Sequence, residues 1–207
     1  MLSDEIYDQM LYDGAEFVPM ATLCHDTLCA TFAGLSKVYR ACGYRVGWVS
    51  FSGALERSER YLKSLDLLAA LRLCSNVPGQ WAVQTALGGF QSIQRLCAPG
   101  GRLYQSRQAV IDAAGPSRFL ELVAPRGAMY AFLGVSASEM PSFNDETFAL
   151  HLLEQRHVLV VPGSTFNAGD RRHFRITILP EVEQLTNVFD RIETLLDQMT
   201  SRAGASD

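Results

Sequence analysis

Only two lysines occur in this 207-residue sequence, at positions 37 and 63, against sixteen arginines. Guanidinium groups stay protonated and are poor nucleophiles, so each amine stands out as a group able to lose its proton and attack a carbonyl. Cysteine is sparse and unpatterned. The five residues, at 24, 29, 42, 74 and 97, form no C-x-x-C pair, and their odd number argues against a disulfide framework. A reduced, cytoplasmic chain is expected. No run of roughly eighteen apolar residues is available to span a membrane. The opening Met1-Leu2-Ser3-Asp4-Glu5 lacks the basic-then-apolar order of a secretory signal. A basic excess is missing too: 18 Lys and Arg against 22 Asp and Glu leave a net charge of −4, so no footprint for nucleic acid is expected.

The familiar catalytic signatures are also absent. There is no G-x-S-x-G elbow, no G-x-x-x-x-G-K phosphate loop, no H-E-x-x-H and no EF-hand loop. The four histidines, at 25, 151, 157 and 173, lack ligand spacing and read as structural, so no metal site is expected.

What is present is a chain built to fold. Hydrophobic residues make up 48% of it, with eleven Phe, which excludes a disordered tail and allows one large domain or two small ones. Residues 28–32 and 47–51 read as short buried strands. Apolar positions 55, 62, 65, 68, 69 and 71 suit a helix up to Leu73, and Asn76 and Pro78 open another that should stop at Gly88-Gly89. Pro99-Gly100-Gly101 marks a break. A helix is expected from about Leu103 to Ala114, a strand over 128–133, and a helix capped by Asn144 and running to about Gln155. Strands over 158–161 and 174–179 and a closing amphipathic helix from Glu181 to Met199 follow. The tail from Ser201 to Asp207 is small and polar and reads as frayed. Strands alternating with helices in two compositional blocks indicate an α/β fold, divided into residues 1–98 and 99–207.

One block concentrates the chemistry. Asp4-Glu5-Ile6-Tyr7-Asp8 precedes Gly34-Leu35-Ser36-Lys37-Val38-Tyr39-Arg40, and then comes Gly43-Tyr44-Arg45-Val46-Gly47-Trp48. That is a carboxylate and a phenol three apart, a lysine leaving a strand, and an arginine eight residues beyond it. Each alone has a plain structural explanation: acidic pairs at a chain start are usually solvated, and an Arg in a Gly-rich turn usually caps something. Together they supply an amine nucleophile, a carboxylate, a phenol and a phosphate fork.

In order and spacing the block resembles the core motifs of the class I and II (fold type I) pyridoxal-phosphate aminotransferases, especially the bacterial glutamate–pyruvate (alanine) branch. Leu71-Arg72-Leu73-Cys74-Ser75-Asn76-Val77-Pro78, Gln84-Thr85-Ala86-Leu87-Gly88-Gly89, Pro125-Arg126-Gly127-Ala128-Met129-Tyr130 and Phe174-Arg175-Ile176 are similar to the same branch. The likeness runs through the C-terminal half of such enzymes. It implies a partial large domain, a remnant of a mostly parallel sheet, followed by a small α/β domain.

The resemblance also implies pyridoxal 5'-phosphate as cofactor, amino acids and 2-oxo acids as substrates, and a homodimer. Lys37 would form the Schiff base with the cofactor and shuttle the proton. Asp4 would pair with the pyridinium nitrogen, Tyr7 would donate to the ring oxygen, and Ser36 and Arg45 would hold the phosphate. Arg175 would take the substrate α-carboxylate. Many members of the family place a hydroxyl three residues before the lysine; here that residue is Gly34. Three readings stay open: transamination between an amino acid, alanine in that branch, and 2-oxoglutarate or pyruvate; a catalytically inactive C-terminal fragment; or another fold type I activity, a decarboxylase or lyase.

Overall fold

The computed structural model describes residues 1–203, which gather into two compact units, Met1–Arg95 and a second that begins at Leu96. The first unit is built on a three-stranded sheet in the order β1-β2-β3: β1 (Leu2–Asp4), β2 (Cys29–Gly34) and β3 (Gly47–Ser52). β1 runs parallel to β2, with Asp4 beside Phe32, and β2 runs antiparallel to β3, with Gly34 opposite Gly47. Two helices follow, α1 (Glu59–Arg72) and α2 (Val77–Gly88), and the short α3 (Ser92–Cys97) runs across the boundary between the units.

α2 starts where its sequence says it should. The Asn76 side chain accepts a hydrogen bond from Gly79 N at 3.2 Å, and Pro78 occupies the first turn, where its missing N–H costs nothing. α1 also forms, after a 3-10 turn over Glu56–Ser58, but none of its residues is buried. Its apolar side remains open, with Leu71 79% exposed. The core of this unit is small: Met10, Tyr12, Cys29, Ala30, Leu35, Val38 and Ile93.

The second unit has a four-stranded antiparallel sheet in the order β4-β5-β7-β6 and three long helices. Its elements are α4 (Arg102–Ala114), β4 (Leu120–Leu122), β5 (Tyr130–Val135), α5 (Asp145–Arg156), β6 (Val161–Pro162), β7 (His173–Thr177) and α6 (Val182–Ala203). α6 buries Leu185, Phe189, Ile192 and Leu196 at a helical spacing, against α4 and α5. Alternate residues of the central strands, Ala131, Leu133 and Val135 of β5 and Phe174 and Ile176 of β7, point into the same core. Each such large side chain removed from water contributes about 1.5–3 kcal/mol before chain entropy is counted.

Three expectations need correction. Residues 47–51 form β3, but none of its residues is buried, because neither face of this short sheet is fully covered there. Of residues 158–161 only Val161 joins a ladder, because β6 is a two-residue pairing with β7; Val158 and Val160 are nevertheless buried. The closing helix continues past Met199 through Ser201, Arg202 and Ala203, where a frayed tail was expected, while 204–207 lie outside the described residues. Among the described residues no helix is long and apolar enough to cross a membrane, and no group of His, Cys, Asp and Glu is placed to hold a metal ion.

Candidate active site

Strand direction gathers the first unit's chemistry. β1 and β2 are parallel, so Asp4 and Gly34 end them at one edge of the sheet, and antiparallel β3 begins at that edge with Gly47. The loop joining β2 to β3 therefore leaves and returns there, carrying Ser36, Lys37 and Arg45. Ligands of α/β sheets gather at such carboxyl ends.

The loop is stapled to itself. Leu35 N donates to Val46 O at 3.0 Å, and Ala41 N donates to Leu35 O at 2.9 Å. Leu35 and Val38 are buried at 1% and 2% exposure, which leaves Ser36 and Lys37 between them half-buried. Among the described residues no acceptor or carboxylate takes the Lys37 ammonium. Lys63 differs: it is an exposed α1 side chain paired with Glu59 at 2.6 Å. Gly34 has a steric reason to be glycine. A Cβ there would lie 2.8 Å from Val46 O and 3.0 Å from Gly47 Cα, so this backbone crossing leaves no room for a side chain, a hydroxyl-bearing one included.

Arg45 closes a 3-10 turn over Cys42–Tyr44 with left-handed φ of 52°, and its Nη1 donates to Cys42 O at 2.8 Å. The rest of its guanidinium is exposed. Asn76 holds this turn as well, because its Nδ2 donates to Tyr44 O while its Oδ1 caps α2. Gly79 sits so close to Val46 that a Cβ would meet the Val46 Cγ2 at 2.2 Å.

In the Asp4–Asp8 segment the two leading carboxylates separate by role. Glu5 Oε1 accepts from Ser3 Oγ at 3.0 Å and from Met20 N at 2.9 Å, a structural tie. Asp4 accepts from Ile6 N at 3.2 Å and is otherwise exposed at the strand end. Tyr7 follows, half-buried.

Sequence reasoning passed over Asp8 and Tyr39. Burial pushes the Asp8 carboxyl up, with the Glu5 charge adding to it, and burial followed by the Asp8 charge pushes the Tyr39 phenol up. The Asp8 charge thus reaches Tyr39 in the lysine loop, and its signal in the sequence was the third carboxylate of the Asp4–Asp8 motif. A cavity of about 550 Å³ lies beside this loop, lined by Leu35, Val38, Tyr39, Arg40 and Phe90, but none of Asp4, Tyr7, Lys37 or Arg45 lines it.

Arg175 belongs to the second unit. It sits on β7 opposite Phe132 on one side and Val161 on the other, on the sheet face away from the core. Three arginines lie close together here and differ in what they hold. Arg171 pairs with Glu146 at 3.5 Å. Arg172 donates to the carbonyls of Val135, Ser136 and Met140 at 2.9, 2.7 and 2.8 Å. Arg175 has no acceptor among the described residues, and its Nε is buried without a partner. Its Cζ lies instead over two rings, 4.3 Å from the centroid of Tyr130 and 4.5 Å from that of Phe166. An arginine with its donors unused, on an otherwise well-satisfied sheet, is available to an anion.

The sequence profile of aminotransferase class I and II matches residues 1–192. The chain belongs to that family. It is 43% identical over 196 residues to the glutamate-pyruvate aminotransferase AlaA of Haemophilus influenzae, covering 95% of this chain and 48% of that one. It is 40% identical over 196 residues to the alanine aminotransferase of Mycobacterium tuberculosis, covering 95% and 46%. Among solved structures, an aminotransferase from Escherichia coli superposes with a TM-score of 0.90 at 41% identity, covering 95% of this chain and 48% of that chain. The alanine aminotransferase of Pyrococcus furiosus gives 0.86 at 33%, covering 95% and 49%. The chain thus spans about half the length of the curated relatives it matches. Its fold is the corresponding α/β portion, a partial large domain followed by a small one.

Proposed function

We propose that this chain carries the amino-group transfer of its family, exchanging the amino group of an amino acid, alanine for preference, with a 2-oxo acid such as 2-oxoglutarate or pyruvate. Pyridoxal 5'-phosphate is the cofactor in this reading. The observation that carries it is the arrival of an unpaired amine, a carboxylate, a phenol, a hydroxyl and an open guanidinium in segments at one sheet edge. That donor set fits a group with an aldehyde, a ring nitrogen, a ring oxygen and a phosphate. When bound, the cofactor supplies an electron sink for the pair left behind at the substrate Cα.

The residues then have distinct tasks. Lys37 would hold the cofactor through its aldehyde, and, with that amine free again once substrate is bound, its Nζ would take and return the Cα proton. Asp4 keeps a proton on the ring nitrogen, and Tyr7 donates to the ring oxygen. Arg45 forks onto the phosphate, with the Ser36 hydroxyl beside it. Arg175 holds the substrate α-carboxylate by two parallel N–H bonds, and so orients Cα. The homodimer and the cytoplasmic setting are parts of the same proposal, and five cysteines that form no disulfide are in keeping with a reducing compartment. The relatives named above favour amino transfer over a decarboxylase or lyase.

A second reading is supported by the span of the match and by the open apolar side of α1: a piece that folds but does not bind the cofactor productively. One experiment separates the two. Pyridoxal phosphate is added to the purified chain, the mixture is reduced with borohydride, and peptides are mapped. A single adduct at Lys37, lost in Lys37→Ala, supports the first reading. A label on Lys63 alone overturns the lysine assignment, and no adduct favours the second reading.

A further inference from the structure

The guanidiniums of Arg172 and Arg175 are both held in place, by opposite means. Arg172 is fixed by carbonyls, and each of those bonds uses one of its N–H donors. Arg175 is fixed by ring faces, and cation–π attraction uses none. A guanidinium held this way is immobilised with its whole fork still free. Removal from water also strengthens any ion pair it then forms.

We propose that Tyr130 and Phe166 are positioning residues that pre-set the Arg175 guanidinium for a carboxylate, with the two Nη groups as the arms of the fork and the buried Nε held against the rings. The proposal rests on the reading of Arg175 as the carboxylate-binding residue. The unpaired Nε is a cost in the free protein, because a buried N–H without an acceptor loses its hydration. A carboxylate with one oxygen at each Nη meets the planar fork end-on and offsets that cost, so the ligand class is the planar carboxylate end of a small amino or oxo acid.

Phe166 is itself held by construction. It ends the 3-10 turn Gly163–Phe166, whose Ser164 N donates to the buried Asp145 Oδ2 at 2.6 Å. Gly163 lets the turn lie against β7, where a Cβ would come within 2.7 Å of His173 O. Phe132 braces the other side. It meets Phe166 edge-on at 6.1 Å and stacks on His173 at 5.0 Å, and His173 Nδ1 is hydrogen-bonded to Asp170 at 3.0 Å. Tyr130 comes directly from β5, in register with Thr177. The rings therefore sit on anchored backbone, and the order they impose on Arg175 is in place before any ligand arrives.

The test uses the 207-residue chain and proton–nitrogen NMR of the Arg175 Nε–Hε group, with succinate as a carboxylate probe that cannot react with the Lys37 amine. Rotation about the Arg175 Nε–Cζ bond is measured first, without ligand, and is expected to be slow. Phe166→Leu should speed it and weaken the succinate response of the Arg175 signal by about fivefold, and Phe166→Tyr should restore both. Unchanged amide signals from Leu133 and Ile176 establish that each variant keeps the sheet. Equal rotation and equal succinate response in wild type and Phe166→Leu overturn the clamp. A wild-type Arg175 signal that rotates slowly but ignores succinate overturns the carboxylate assignment instead, with the ring clamp left standing as a packing feature.

Discussion

The two units of this chain have similar lengths and unlike interiors. The second buries Phe148, Leu152, Phe174, Ile178, Ile192 and Leu196 completely, and every long helix in it contributes to that core. In the first, α1 buries nothing and α2 buries only Gly79, while Leu67, Leu71, Trp81 and Phe90 stand open to water. Folding stability comes from apolar surface withdrawn from water against a chain entropy that every ordered residue must meet. The second unit satisfies that balance within itself. The first holds the backbone geometry of its family with much of the expected burial unrealised, so local form and local stability have come apart. The same contrast runs through the chemistry: Lys37 sits on the less buried unit and Arg175 on the well-buried one.

The strongest way to break the contrast is limited proteolysis of the whole chain. Cleavage should begin within residues 1–95, around α1 and the segment 73–76, and leave a resistant piece starting near Leu96. Uniform protection across both units, read by mass spectrometry of the fragments, would contradict it. A second test compares truncations of large apolar side chains. Phe148 is fully buried, with Phe143 and Phe174 rings 5.3 and 5.0 Å away, so Phe148→Ala should cost about 3–5 kcal/mol in denaturant unfolding. Leu71→Ala, at an exposed α1 position, should stay within about 0.5 kcal/mol. A comparable loss at Leu71 would mean that α1 is covered in solution.

What was legible in the sequence divides along the same lines. Helix ends were readable because their signals are local: Asn76 with Pro78 opens α2, and Asn144 opens α5 by accepting from Thr147 N at 3.0 Å. Of the strands, the longer apolar ones β2, β3, β5 and β7 were readable, and the very short ones that exist only through a partner were not. β1 is three residues long and exists through its pairing with Cys29–Gly34; β4 is equally short, and the apolar run 158–161 pairs only at its end. The amphipathic pattern of α1 was visible, but a pattern cannot say whether the surface it needs is present. At the site, motif spacing marked Asp4, Tyr7, Ser36, Lys37, Arg45 and Arg175 as candidates. The rings beneath Arg175 were hidden, because Phe166 reaches it through a turn tied to Asp145, nineteen residues before Ser164 in the chain.

Capping sharpens the comparison at smaller scale. Asn144→Ala removes the α5 cap from a helix whose Phe148 and Leu152 are buried, and should lower the second unit's stability by about 1 kcal/mol. Asn76→Ala removes an equivalent cap from α2 together with the bond to Tyr44 O. Because α2 carries little burial, the change should show as faster hydrogen exchange at Arg45, Val46 and Gly79, with little shift in the second unit's unfolding. Equal global losses from both variants would mean that the units unfold together.

The smallest expected effect is a difference in how the two units respond to pH. Asp8, in the first unit, has its folded-state pKa raised above 3.8, chiefly by burial. The folded form then binds the proton more tightly than the unfolded form. Stability falls as pH rises from the unfolded value through the folded one, and the loss is complete above it. Asp170, in the second unit, is shifted the other way, first by the Arg172 backbone N–H and then by His173. Its contribution is present above 3.8 and disappears as pH falls through the lowered value. Local opening should therefore become easier with rising pH in the first unit just above pH 3.8, and easier with falling pH in the second unit below pH 3.8. Asp8→Asn should flatten the first unit's slope, stabilise it slightly at neutral pH, and bring the Tyr39 phenol down, because the Asp8 charge is part of what holds it up. Side-chain NMR titration of Tyr39 with hydrogen exchange at several pH values reads all three changes. An unmoved Tyr39 titration in Asp8→Asn would show that the two groups are not coupled and that burial alone sets the phenol.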